Sequence, residues 1–246
     1  MKKVLLFIFS LCLLCSGCAT AGISPATTLT ASSQTVVLKT TAQDGNLLLE
    51  RSFPQYSLES DNQSVAISIE ADLQRRIESW MSPSADLPEY ALELYSAEKP
   101  WVNWYAKLEG QNKRLDSQVF SLYFEYSEFT GSAHPNTITY SVTYDCKTGN
   151  TLALADLLIN GHSPQNFASA VNDALSTRTD ELYDDYEALV GKSFSEGMIN
   201  WYLSGEGLCF HFPPYDIGPY STGVVTVTLP YSQLNGILST DFLPSK

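Results

Sequence analysis

From Trp101 the side chains begin to alternate, and this change of period limits the fold more than any other feature of the chain. Phe120, Leu122, Phe124 and Tyr126 share one face of any strand spanning 117–129, because successive strand residues point to opposite sides. A strand at 101–109 precedes it, joined through Gly110-Gln111-Asn112, and 137–144 with 151–154 reads as a further hairpin about 145–150. Upstream the period is helical. Ala66, Ile69, Leu73, Ile77 and Trp80 recur at steps of three and four, so 63–81 predicts an amphipathic helix with Glu70, Asp72, Arg75, Arg76 and Glu78 mostly outward. Before it, 35–41 and 47–58 read as strands about the turn Asp44-Gly45-Asn46. Pro83 and Pro88 punctuate the stretch leading to a short helix at 89–98. A long helix is expected at 164–189, with Phe167, Val171, Leu175, Leu182, Tyr186 and Leu189 as its buried stripe, Ser163 as N-cap and Pro164 in its first turn. Strands at 200–203, 208–212 and 223–229 follow, then a short helix from Ser232. Helices mixed with antiparallel hairpins, without regular βαβ alternation, predict an α+β fold of antiparallel sheets with packed helices in two small subdomains.

The first residues carry an address. Lys2 and Lys3 precede eleven apolar residues, Val4 to Leu14, too few for a membrane span of roughly 20 but right for a signal peptide. Cys15-Ser16-Gly17-Cys18 resembles a bacterial lipobox, with Cys15 where Leu is usual. The expectation is a lipoprotein signal peptide at 1–17 and lipidation at Cys18, making the chain extracytoplasmic and held to the membrane through that anchor alone; the alternative is an ordinary secretory signal. The segment 18–34 is rich in Ala, Ser and Thr and lacks charge, a composition expected of a flexible tether. Cys12 and Cys15 leave with the signal. Cys146 and Cys209 remain as an even pair in an oxidising space and are expected as a disulfide, two free thiols being the alternative.

Charge narrows the partners. The chain has 27 acidic residues against 14 Lys and Arg, a net −13, which argues against nucleic acid and against an anionic lipid surface. His134, His162 and His211 stand far apart and form neither HExxH nor a close pair, so no metal is expected. No GxSxG, P-loop or GxGxxG occurs, and no cofactor is expected. A carboxylate pair for hydrolysis stays open, since acidic residues are plentiful and their separations are not written in the sequence.

Three motifs in order carry a resemblance. Thr130-Gly131-Ser132-Ala133-His134-Pro135 resembles a TGGAHP signature; Tyr144-Asp145, Thr148-Gly149 and Leu152 to Leu157 continue it; Pro214 to Tyr220, then Gly223, resembles PYEIGPYAAG. These mark the domains seen in the extracellular part of RsiV-type anti-sigma factors and at the N-terminus of PdaC-type peptidoglycan deacetylases. The resemblance covers about 35–240 and implies an α+β fold, with a PdaC-like subdomain at 35–135 and an RsiV-like one at 136–246. It also implies a binding or sensing role at the envelope. In RsiV-type proteins the module binds lysozyme, a basic protein, in keeping with the acidic balance here. Neither an anti-sigma segment nor a deacetylase domain is found in these residues, so neither activity is expected.

Candidate binding residues follow. His134 lies in the signature loop, where a local hydrogen-bonding role is favoured over ligand contact. Tyr215 and Tyr220 bound a loop rich in Pro and Gly, for which a fixed loop positioning the last strand is favoured over a binding site; it is also where binding contacts would gather, since rigid loops carry function. Asp180, Glu181, Asp184, Asp185 and Glu187 crowd one stretch; such a run is usually a solvated helix face, the sharper readings being a docking patch for a cationic partner, through Asp180, Asp184 and Asp185, or a weak calcium site, which the absence of EF-hand spacing disfavours. Trp101, Trp104 and Tyr105 are either sheet packing or a platform for sugars. The combined expectation is a non-enzymatic envelope binding protein for a basic, lysozyme-like partner. The alternatives are a module for peptidoglycan or another glycan and, third, a carboxylate-dependent hydrolase.

Overall fold

The alternating residues of 117–129 form a strand buried on both faces, and the rest of the fold is arranged around it. The computed structural model describes residues 28–244. Five strands, β1 (Leu29–Thr41), β2 (Leu47–Ser60), β3 (Trp104–Leu115), β4 (Val119–Phe129) and β5 (Asn136–Asp145), make one sheet in sequence order. Neighbours are antiparallel except β2 and β3, which pair in parallel from Leu49/Trp104 to Ser52/Lys107. A parallel pair needs a long crossover, and the helices α1 (Gln63–Met81) and α2 (Leu87–Leu94) supply it. A second sheet of β6 (Asn200–Leu203), β7 (Gly207–Phe212) and β8 (Val225–Pro230) is antiparallel throughout. The class is α+β, as expected.

Four layers result. The helical stripe of α1, Ile69, Leu73 and Ile77, packs on Phe120, Leu122, Phe124 and Tyr126 of β4. The other face of the first sheet meets β6 and β7. The far side of the second sheet is covered by α3 (Phe167–Leu175) and α4 (Tyr186–Ser195), with Phe167, Val171 and Phe194 against Phe210, Phe212 and Val225. Among the described residues no helix is long and apolar enough to cross a membrane.

Several expectations change. The turn read at Gly110-Gln111-Asn112 lies inside β3. The real turn is made by Asp116, whose carboxylate accepts the N–H groups of Gln118 and Val119 at 2.8 and 3.0 Å. Gly110 serves close approach instead: a Cβ there would fall 2.5 Å from the Tyr56 hydroxyl and 2.7 Å from the Phe124 ring. The tether expected at 18–34 is overturned for its last six residues, because Leu29 to Gln34 pair with Gln55 to Ser60. The signal, Cys18 and the remaining tether residues up to 27 lie outside the described residues. The boundary expected between 135 and 136 would cut β5 from β4, to which it pairs from Glu128/Asn136 to Val119/Asp145; the first unit therefore closes after Asp145.

The helix expected at 164–189 is two helices. Between them Ser176 turns its hydroxyl back onto the Asp173 carbonyl at 2.6 Å, and only a 3₁₀ turn, Thr179–Glu181, interrupts the link. Ser, Thr and Asp offer the backbone local hydrogen bonds that compete with helix, and the acidic repulsion of a continuous helix is avoided.

Candidate functional site

The contact between the two sheets is polar, and it sets the position of the loops around it. On the face of β4 and β5 turned away from α1, the Ser121 and Thr143 hydroxyls are 2.7 Å apart, and Ser121 also accepts the Leu203 N–H at 2.9 Å. His211 of β7 is buried between Thr139 and Ser141, at 2.8 and 3.1 Å from their hydroxyls. The docking of the second sheet buries it fully. Burial, with Lys113 nearby, pushes its pKa down to about 3, so it sits there neutral. Arg114 ties the same seam to the C-terminal segment, pairing with Asp116 at 2.7 Å and donating to the Phe242 carbonyl and Tyr231 hydroxyl.

That docking brings the two signature loops together. His134 stands between β4 and β5, and Tyr215 and Tyr220 stand in the connection from β7 to β8. The His134 ring stacks on Tyr220, centroids 3.9 Å apart and planes 20° from parallel. Its Nδ1 lies 3.0 Å from the Pro135 carbonyl and its Nε2 3.1 Å from the Tyr215 hydroxyl. A carbonyl can only accept, so Nδ1 carries a proton; in the neutral ring Nε2 then accepts from Tyr215. The local hydrogen-bonding role read for His134 is present, and it is made to the partner motif 81 residues away as well as to its neighbour. Tyr215 has φ of +76°, the one non-glycine residue in the left-handed region among those described, and its side chain is 55% exposed. A strained residue held outward is a common mark of a functional loop. The loop is held by buried Ile217, whose carbonyl accepts the Tyr183 N–H at 3.0 Å.

The acidic stretch packs against the same loop. Thr222 donates to the Glu181 carbonyl at 2.6 Å, and at Gly218 a Cβ would approach that carbonyl to 2.9 Å. Asp180, Asp184 and Asp185 are exposed, and none has a cationic partner within 4 Å among the described residues. Glu181 is neutralised by Arg178 at 2.7 Å. His134, Tyr215 and Tyr220 thus form one cluster, and the loop that carries the tyrosines is seated on the backbone of Glu181 and Tyr183, the sequence neighbours of Asp180 and Asp184.

Other candidates separate. Cys146 lies in the core under α1 and Cys209 in β7 between the sheets, so the expected disulfide is not made and both are free, buried thiols. Burial pushes the Cys146 thiol up to about 12, which leaves it without nucleophilic character at neutral pH. Cys209 meets the Thr228 hydroxyl at 3.2 Å instead. Trp101 and Trp104 are half-buried against Leu48, Leu49 and Ala91, with the Trp101 indole donating to the Leu48 carbonyl; Tyr105 stacks on Phe129. Among the described residues no group of three His, Cys, Asp or Glu gathers as a metal site would. Two contributors escaped the sequence reading: Arg114 and the acidic-turn backbone that seats the tyrosine loop. A cation between Lys113 and Leu115 of an alternating stretch was the available signal for Arg114.

Family models match two stretches of the chain: that described as Deacetylase PdaC over 41–137 and that described as a protein of unknown function, DUF3298, over 155–232. No curated protein matches the chain in sequence. Among solved structures, a member of the DUF3298 family from Bacteroides fragilis aligns with a TM-score of 0.58 at 18% identity, over 88% of this chain and 96% of that one. A DUF3298 family protein from Pseudomonas aeruginosa aligns with a TM-score of 0.58 at 14% identity, over 89% and 98%. At such identities the likeness is one of fold, and it spans both sheets. The resemblance read from the loop motifs is met by both comparisons: a stretch similar to the PdaC model precedes one similar to the DUF3298 model.

Proposed function

We propose that this chain is a non-enzymatic binding protein of the bacterial envelope, extracytoplasmic and lipid-anchored at Cys18, that captures a basic protein of the lysozyme type. One observation carries the reading: the two signature loops meet as a His134–Tyr215–Tyr220 cluster with Tyr215 exposed, and the tyrosine loop rests on the backbone of the acidic stretch that bears exposed Asp180, Asp184 and Asp185. Tyrosine faces attract Lys and Arg through their quadrupoles, and unpaired carboxylates add long-range attraction. The net −13 of the chain works in the same direction. Both nitrogens of His134 are engaged by a carbonyl and a hydroxyl, an arrangement suited to holding a loop more than to moving a proton. The exposed Tyr215 ring favours a second reading, stacking on a sugar of peptidoglycan.

The test is calorimetric titration of the full chain, purified in mild detergent, with lysozyme at low salt and at about 0.15 M. Saturable binding at both salts, weakened when Asp180, Asp184 and Asp185 become Asn, is the expected result. Binding that vanishes at the higher salt, or resists the triple change, would sink the reading. Salt-insensitive binding of peptidoglycan fragments in its place would favour the glycan.

A further inference from the structure

A helix lying on a sheet presents polar residues outward, yet α2 buries only Ala91 and leaves Tyr90 52%, Leu92 52% and Leu94 65% exposed. Val102, in the segment entering β3, is 57% exposed as well. Tyr90 and Leu94, four residues apart, share one face of α2 and Leu92 stands on another; exposed apolar side chains on a short helix mark contact surfaces. A cavity of about 580 Å³ opens between Leu92, Tyr95 and Ala97 and the β1–β2 turn at Ala42, Gln43 and Asp44, a volume in the range that ligand groups fill. The surroundings are acidic. Asp86, Glu89, Glu93 and Glu98 share the segment 86–103 with a single cation, Lys99. Asp44 is fixed at the cavity by the Tyr95 hydroxyl at 2.6 Å, and that bond, with those from Asn46, holds its carboxyl below the usual range.

The occupant follows from charge and position. A second copy of a chain with net −13 would bring acid against acid, and an anionic lipid surface is repelled for the same reason. The cavity also lies at the far end of the 13-residue β1 from Thr28, about 40 Å along the strand from the end nearest the proposed anchor. It does adjoin the site already described. Tyr95 meets Trp101 edge-on at 5.8 Å, Trp101 and Trp104 are 5.1 Å apart, and the Trp104 indole lies 3.8 Å from where a Cβ of Gly131 would stand. A half-buried aromatic row therefore leads from α2 to the loop that carries His134.

We infer that α2 and this cavity form a second contact surface for the basic protein partner, an apolar side chain of a cationic segment entering the cavity while its Lys and Arg residues meet Asp44, Glu93 and Glu98. The inference rests on the reading of a basic partner, and adds the place where an apolar group of that partner is received.

The experiment titrates the full chain, its L92S/L94S variant and its Y215A/Y220A variant with lysozyme and, separately, with a short synthetic peptide of Lys and Leu. Both substituted leucines are exposed, so the variant is expected to keep its unfolding midpoint. Loss of about tenfold in lysozyme affinity in L92S/L94S supports the inference, as expected of a contact residue at an interface. If Y215A/Y220A weakens lysozyme and L92S/L94S does not, the inference falls and the proposed function stands. If lysozyme does not bind at all, the proposed function falls. The peptide then decides: its loss in L92S/L94S supports the surface, and its unchanged binding overturns it. Sedimentation of the parent chain, but not L92S/L94S, with phosphatidylglycerol vesicles would show a lipid occupant and overturn it too.

Discussion

The five-stranded sheet meets two different surfaces. Toward α1, β4 and β5 present Phe120, Leu122, Phe124, Tyr126 and Tyr144, all fully buried. Toward the second sheet the alternate positions present Ser121, Tyr123, Thr139, Ser141 and Thr143, which face His211, Tyr202 and the Leu203 backbone. One strand thus contributes to a core and to a seam. Apolar contact is roughly proportional to area and indifferent to direction. A seam of hydroxyls and one imidazole is satisfied in one register only, because each shift leaves a buried donor or acceptor unpaired. The apolar face provides stability, and the polar face decides where the tyrosine loop sits against His134.

The largest expected effect breaks the apolar side. Phe124 has no exposed surface and packs on Trp80 at 4.9 Å and Tyr56 at 6.1 Å. Phe124→Ala should cost about 3–5 kcal/mol, measured by urea unfolding. If the two faces have separate roles, the folded fraction of this variant should bind lysozyme as the parent does. A variant with parental stability would show that the packing around Phe124 is not what holds the first unit.

The polar side should be sensitive to acid. The imidazole of His211 titrates near 3 in the fold because it is buried with Lys113 close by, against about 6.5 in an unfolded chain. Tyr123 and Tyr202 face it edge-on and tilted, at 5.0 and 5.7 Å. Between those pH values the unfolded chain binds a proton that the folded chain does not, so this contribution is whole above pH 6.5 and shrinks as pH falls toward 3. At pH 4.5 the loss is about 2–3 kcal/mol. His211→Gln keeps hydrogen-bonding capacity without titrating and should flatten the slope between pH 6.5 and 4.5 in urea unfolding. Equal slopes in parent and variant would remove His211 as the cause.

The apolar face was legible in the sequence because its physics is periodic. Ile69, Leu73 and Ile77 at helical spacing and Phe120 to Tyr126 at strand spacing located α1 and β4. The seam was not, because Ser121, Thr139 and Thr143 look like solvent-facing residues of an amphipathic strand until a second sheet covers them. His211 is fully buried for the same reason. Cys146 and Cys209 are an even pair by count, but one lies in each kind of contact and the sheet separates them. The break of the long helix at Ser176 turns on local hydroxyl and carboxylate bonding that a hydrophobic stripe does not register. Within the site, the three motifs supplied His134, Tyr215 and Tyr220, while their meeting depended on the seam. Leu92 and Leu94 were within a helix read from Pro88 and its spacing, but only the packing shows that they remain outside.

The smallest expected effect on stability is at Tyr215, and it separates the site from both faces of the sheet. Its φ of +76° favours glycine, so Tyr215→Gly relieves backbone strain while losing the 3.1 Å bond to His134. Strain of this kind and a hydrogen bond to an exposed ring are each worth about 1 kcal/mol, and the two changes oppose one another. The unfolding free energy should therefore stay within about 0.5 kcal/mol of the parent's. Binding should not be spared, since the exposed ring is gone: about a tenfold loss for lysozyme is expected. Tyr215→Phe keeps the ring and loses only the bond, and should retain most of the affinity. If Gly and Phe weaken binding equally, the hydroxyl's hold on His134 matters more than the ring, and the loop acts by positioning His134 and Tyr220. If neither changes affinity, the partner does not touch this loop, whatever the seam does to place it.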